Sequence, residues 1–276
     1  MGRGLTQELL PLELGEMSFP IQPILKWAGG KRWLIQQLKT LYAPYRSCRL
    51  VEPFCGGLSV SLKLLPENAL LSDINPHLIN FYQWIQKGLT ISIPMENDSE
   101  MYYAHRELFN ELIRMGKSRI RQAAELFYYL NRTGYNGLCR FNRHGFYNVP
   151  FGQYKTIHYQ RNFKPYQNLI SRWEFLSTDF ENLKLNSSDF IYADPPYDVK
   201  FTQYAKEDFG WNDQVRLVEW LSKHKGPVLI SNQATERIIE LYEKAGFKLF
   251  YLLAPRRISC SGNRDKAQEV LAVKGI

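Results

Sequence analysis

Apolar residues change their spacing several times along the chain, and each change marks a change of element. Over Trp33–Leu41 they recur at Leu34, Ile35, Leu38 and Leu41, the spacing of a helix with one buried face. Before it, Lys26–Gly30 reads as a glycine-containing turn. Arg49–Pro53 is a short apolar run entering Gly56-Gly57, which predicts a strand and a tight loop, and Leu58–Leu65 predicts a helix after it. Ala69–Asp73 predicts a second strand that ends on an acid. From 76 to about 132 the spacing is mainly helical, with Tyr82–Ile85 and Ala123–Phe127 as apolar faces.

Residues 133–165 break that rhythm. Gly134, Gly137, Gly145, Pro150 and Gly152 predict loops and hairpins there. Alternation then resumes, with strands expected at Trp173–Thr178, Asp189–Asp194, Pro227–Ser231, Phe247–Leu253 and Glu269–Val273. Helices are expected at Val215–His224 and Glu236–Ala245. The pattern is that of an α/β sheet with a helical, then loop-rich, insertion in its middle. Residues 1–22 stand apart as a loose or helical extension.

Composition changes this picture in one place. The whole chain carries +8, but Arg114–Arg172 holds eleven basic residues against a single acid, Glu125, which is +10. The remainder is therefore slightly acidic, and the positive charge belongs to the insertion. Tyr, Phe and Asn are interleaved with it, a mixture suited to phosphates and bases. No apolar run is long enough for a bilayer helix. The N-terminus lacks the apolar segment and cleavage site of a signal peptide. The four cysteines (Cys48, Cys55, Cys139, Cys260) are scattered, and the five histidines do not cluster with them or with acids. A reducing, cytoplasmic compartment without a structural disulfide or metal is expected.

Two motifs carry chemistry. Val51–Gly57 lies between a strand and a helix, where glycines admit a ligand to the backbone. Asp73 ends the next strand, 21 residues after Glu52, the spacing at which an acid meets a ribose in doubly wound folds. The loop lacks the full G-x-G-x-x-G, which disfavours a dinucleotide. Asp194-Pro195-Pro196-Tyr197 follows the strand Phe190–Ala193. A carboxylate, the Pro195 carbonyl and an aromatic ring suit a planar amine: two acceptors take its hydrogens while the ring stacks on the base. The exocyclic amine of adenine is a poor nucleophile, and acceptors that favour its pyramidal form aim the lone pair at an electrophile. A carboxylate with the ordinary pKa of about 3.9 is ionised and ready to accept at neutral pH.

Together the motifs resemble the Dam-type DNA adenine-N6 methyltransferases, over about Leu25–Val273. The matching elements are Lys26–Arg32, Glu52–Gly57, Ser72–Asn75, Leu130–Arg140, Asn148–Gly152, Asp194–Tyr197 and Arg256–Ser261, in the family's order. The resemblance implies a mixed, mostly parallel seven-stranded Rossmann-like methyltransferase sheet with an inserted, mainly helical DNA-recognition domain. The catalytic domain is then residues 23–75 and 169–276, and the target-recognition domain 76–168. It implies S-adenosyl-L-methionine as donor, held by Trp27, Lys31, Phe54, Asp73 and Asp194, with Asp179 a further candidate. Its target is the adenine of 5′-GATC-3′ in double-stranded DNA, flipped out of the helix and methylated in line by a monomer. On that basis Lys26 and Arg140 meet guanines and Tyr135 wedges into the stack. Asn136, Leu138, Pro150 and Tyr154 line the recognised step. Arg132, Asn142, Asn148, Arg256, Arg257, Ser259 and Ser261 are phosphate-contact candidates. Gln153, where relatives carry Arg, departs from the pattern, as does the extension before residue 23.

Three other functions compete. Cytosine-N4 methylation uses a similar amine, but Asp rather than Ser stands at 194. Glutamine methylation in proteins starts its tetrapeptide with Asn and leaves the basic insertion unexplained. A DNA-binding protein without catalysis is opposed by the intact Lys31, Asp73, Asp194 and Tyr197. Cys55, beside Pro53-Phe54, could suggest a covalent nucleophile, but its place in the cofactor loop favours an inert apolar role.

Overall fold

The seven expected strands form one sheet. A computed structural model describes residues 21–198, 209–254 and 267–276; most of the extension, and the candidates Arg256, Arg257, Ser259 and Ser261, lie outside the described residues. The strands are β1 (Leu50–Glu52), β2 (Ala69–Asp73), β3 (Trp173–Ser177), β4 (Phe190–Ala193), β5 (Val228–Gln233), β6 (Lys248–Ala254) and β7 (Ala267–Lys274). Their order is β3-β2-β1-β4-β5-β7-β6. The first five run parallel, and β7 lies antiparallel between β5 and β6.

Side chains alternate across this sheet with period two. Leu50, Ala69, Leu71, Phe190, Tyr192 and Leu229 enter the apolar cluster on one face. Val51, Leu70, Ile191, Ala193, Val228 and Ile230 enter the cluster on the other. Both faces are covered, so the strands read as continuous apolar runs rather than alternating ones. Helices α1 (Ile35–Tyr42), α2 (Ser61–Leu64) and α3 (Pro76–Gln86) cover the first face; α7 (Trp211–Lys223) and α8 (Glu236–Lys244) cover the second.

Between β2 and β3 the chain also forms α4 (Ser99–Arg114), α5 (Arg121–Thr133) and α6 (Lys164–Leu169). Tyr102, Phe109, Phe127 and Tyr129 from these helices join the same apolar cluster as Leu34, Leu50 and Phe81. Residues 134–152 form a loop pair closed by antiparallel bridges Gly134–Phe151 and Phe141–Tyr147. It is anchored to α4 by Tyr102 and Arg106, which donate to the Val149 carbonyl, and by Asn110, which exchanges two hydrogen bonds with the Tyr147 backbone.

Three elements differ from expectation. The helix expected over Leu58–Leu65 shrinks to α2, because Leu58 and Leu65 both adopt left-handed backbone conformations (φ 57° and 53°). The helical stretch from 76 is interrupted after α3, where Gly88 takes φ 82°. The next residues are fixed instead by Glu125, whose carboxylate accepts from the Ser92 and Ile93 backbone at 2.7 and 3.2 Å. Helix α7 starts at Trp211 rather than Val215, its first turn closed by the Asp213 carboxylate accepting from Gly210 N at 2.8 Å. Among the described residues no helix is long and apolar enough to cross a membrane.

Candidate active site

The sheet order places a switch point between β1 and β4. From β1 the chain moves outward to β2 and β3, then returns to β4 on the other side. In open α/β sheets ligands bind at the carboxyl ends of the strands at such a point. The loop Pro53–Gly57 follows β1, Asp73 ends β2, and Asp194–Tyr197 follows β4. Because β7 is antiparallel to β5, Glu269 near its start pairs with Gln233 and arrives at this same edge.

Asp194 is gripped from two sides. Lys31 Nζ lies 2.8 Å from Oδ2, with the two side chains only 5% and 20% exposed. Ser231 Oγ donates to Oδ1 at 2.8 Å and meets the Tyr192 hydroxyl at 3.0 Å. Burial raises the Asp194 carboxyl above the ordinary carboxylate range assumed from the sequence, while Lys31, Ser231 and Tyr197 oppose that shift. Tyr197 donates to Glu269 Oε2 at 2.6 Å, and Lys31 Nζ sits 4.5 Å from the centre of its ring. The backbone of the turn is pinned as well: Gln214 donates to the Pro196 carbonyl at 2.8 Å and Asn232 accepts from Asp198 N at 3.2 Å. Asn232 also donates to Gln214 and to the Tyr242 hydroxyl.

The loop after β1 is shaped around Trp27. A Cβ on Gly56 or Gly57 would come within 2.6 or 2.7 Å of the Trp27 side chain, so only glycine fits. Asp73 holds the loop from the other side, accepting from Gly56 N at 3.1 Å and from Asn75 N at 2.9 Å. Phe54 packs on Phe180 and Phe209. Beside Asp73, Ile74 is 71% exposed, a large apolar side chain open at the strand end. Asp179 caps the turn Phe180–Asn182 and pairs with Arg216 at 3.1 Å. Glu52 is buried, accepts from the Ser61 hydroxyl, and is pushed up to about 8 by burial. Burial also raises the Cys55 thiol, which suits an inert side chain.

The recognition candidates gather around the 134–152 loops. Tyr135, Asn136, Leu138, Arg140, Asn142 and Pro150 are exposed. Arg140 is held out by Asn148, donating to its Oδ1 at 2.8 Å and its carbonyl at 3.1 Å. Asn142 builds the tip, its Oδ1 accepting from His144 N and Phe146 N. Lys26 lies beneath. Its backbone exchanges two 2.8 Å hydrogen bonds with Asn131, while its Nζ donates to the Arg132 carbonyl and covers the Tyr154 ring at 3.5 Å. Burial, then Arg132, lowers its pKa to about 8. Arg132 reaches back to the Ile24 carbonyl at 3.4 Å. Gln153 is exposed, with φ 49°.

The structure thus joins Lys31, Asp194 and Tyr197, and separately groups Lys26, Arg132 and Tyr154. It adds Tyr192, Ser231, Gln214, Asn232 and Glu269, which no sequence motif contains. For Ser231 and Glu269 the available signal was a polar residue at the end of an otherwise apolar strand; Gln214, on α7, gave none.

Residues 27–256 match the D12 class N6 adenine-specific DNA methyltransferase family. The chain is 35% identical to the retron Ec67 DNA adenine methylase of Escherichia coli, over 91% of each protein. It is 37% identical to a DNA adenine methylase of Vibrio cholerae and 36% identical to that of Escherichia coli K12, in each case over 90% of this chain and 94% of the relative. With such coverage and the Asp-Pro-Pro-Tyr turn at the switch point, the chain belongs to the D12 class of N6 adenine-specific DNA methyltransferases.

Proposed function

We propose that this adenine-N6 methyltransferase takes its methyl group from S-adenosyl-L-methionine, flips its target adenine out of duplex DNA and acts at 5′-GATC-3′. The observation that carries the reading is Asp194, oriented by Lys31 and Ser231 at the carboxyl end of β4 beside Tyr197. The site fits the proposed donor. Among the described residues three carboxyl groups (Asp73, Asp194, Glu269) stand against one buried cation, Lys31, a balance that favours a positively charged sulfonium, while Glu52, pushed up to about 8, adds no charge at neutral pH. Asp73 presents fixed acceptors to ribose hydroxyls, exposed Ile74 offers a nucleoside base an apolar face, and Trp27, Phe54, Lys31 and Asp194 complete the set. Asp179 is turned toward Arg216.

When bound, the donor supplies an electrophilic methyl group. Asp194 accepts one hydrogen of the adenine amine and the Pro195 carbonyl accepts the other, so the lone pair points at that methyl. Tyr197 stacks on the base. Asp194 orients rather than abstracts, and the surplus proton of the methylated amine passes to water. An amine paired inside a duplex cannot reach the sheet edge, so the base is everted, at a cost of a few kcal/mol. Exposed Tyr135 fills the stack, and residues 76–168 act as the recognition domain, with Lys26 and Arg140 reading guanines.

The test is incubation of the protein with S-adenosylmethionine and a duplex holding one GATC, followed by nucleoside analysis. N6-methyladenine at that site is expected, lost when any of the four positions is changed. Asp194→Ala should abolish transfer and leave DNA binding within a few-fold. Modified cytosine, or equal methylation of altered sites, would overturn the reading.

A further inference from the structure

We propose that Glu269 is a positioning residue for methyl transfer: through the Tyr197 phenol it fixes the ring on which the everted adenine stacks. The inference rests on the stacking role given to Tyr197 above. Glu269 lies on β7, opposite Gln233 of β5 and Leu252 of β6, far in sequence from the Asp-Pro-Pro-Tyr turn. Its Oε2 receives the phenol hydrogen at 2.6 Å, the short end of O–H···O geometry, as expected for a carboxylate acceptor.

The phenol oxygen lies on the long axis of the ring. Holding it fixes the far end of the ring, while Gln214 and Asn232 hold the backbone at the near end. Neither tether alone sets the ring's tilt; the two together do. Burial and the neighbouring carboxylates keep the Tyr197 phenol protonated, so it remains the donor. The contact that the role of Glu269 rests on is the one to Tyr197, and its effect runs through that ring. A base stacked on a misplaced ring would also hold its amine away from Asp194, and displacements of this kind lower rates steeply.

The experiment measures kcat, KM for DNA and melting temperature for wild type, Glu269→Gln, Glu269→Ala, Tyr197→Phe and the double variant Tyr197→Phe/Glu269→Ala. Glu269→Ala should lower kcat about ten-fold or more, with KM for DNA within about two-fold. Glu269→Gln keeps an acceptor oxygen and should recover most of that loss. Tyr197→Phe, which removes the hydroxyl alone, should match Glu269→Ala, and the double variant should be no worse than Tyr197→Phe. Should Glu269→Ala fail to fold, the Tyr197→Phe and Glu269→Gln rates decide: an unchanged Tyr197→Phe rate rejects the inference. So does a Glu269→Ala loss that persists undiminished in the Tyr197→Phe background, because that identifies a support of the sheet. A wild-type protein that methylates no adenine overturns the stacking role itself; active wild type with indifferent variants overturns the inference alone.

Discussion

Replacing Lys31 by methionine keeps an unbranched side chain one atom shorter and removes the cation beside Asp194. At 2.8 Å and an effective dielectric of about 20, the two charges attract by about 6 kcal/mol. The pair is largely withdrawn from water, so the small values typical of exposed ion pairs do not apply. Part of the attraction offsets desolvation, and what the variant loses is the compensation of a buried carboxylate. Loss of about 3–5 kcal/mol of folding stability is expected at neutral pH. Burial already raises the Asp194 carboxyl, and loss of Lys31 raises it further. A folded-state pKa above the unfolded value means that the folded protein binds the proton more tightly. The deficit should therefore shrink as pH falls and Asp194 takes up a proton. Adding Asp194→Asn to Lys31→Met removes the stranded charge and should restore most of the stability. Denaturant unfolding of both variants at neutral and acidic pH provides the measurement. A deficit under about 1 kcal/mol, or none of it recovered in the double variant, refutes a buried pair.

Other residues give sharper, local outcomes. Arg140→Ala should cost about 1–3 kcal/mol of discrimination at one base pair, measured as kcat/KM on duplexes altered one position at a time. Equal weakening on every sequence would make Arg140 a phosphate contact instead. Glu52, shifted from 4.5 to about 8, contributes stability that is complete below its unfolded pKa and lost as pH rises through the folded one. Melting curves should show Glu52→Gln overtaking wild type as pH rises, by up to about 5 kcal/mol; parallel pH profiles would show that the carboxyl is not desolvated. Gly57→Ala should displace Trp27, costing about 1–3 kcal/mol and weakening nucleoside binding, with unchanged binding of S-adenosylhomocysteine as the contrary result.

Strands were legible because both faces of the sheet are buried, which leaves short apolar runs that turns punctuate clearly. The Asp194–Tyr197 turn was legible because its residues are contiguous and their chemistry is specific. Ser231 and Glu269 were not. The importance of Ser231 depends on β5 running parallel beside β4, and that of Glu269 on β7 running antiparallel beside β5; both registers are properties of the assembled sheet. Asn131 was hidden for a related reason: inside α5 it reads as one more polar helix position, until Lys26 threads past it. The ordinary pKa assigned to Asp194 failed because burial is a property of the fold and not of the tetrapeptide. The short α2 escaped because nothing in Leu58 or Leu65 announces a left-handed backbone.

The apolar cluster that runs without a break from the sheet into α4 and α5 limits how the proposed recognition region can be re-engineered. A chimera that imported the whole 76–168 segment from a relative would have to match Leu34, Leu50 and Phe81 as well as its own interior. Exchange confined to 134–152 carries less interior with it, but Tyr147 and Val149 are buried in that same cluster, besides the α4 hydrogen bonds to their backbone. A graft of these loops would have to keep the side chains of Phe141, Tyr147, Val149 and Phe151 and vary only the exposed positions between them.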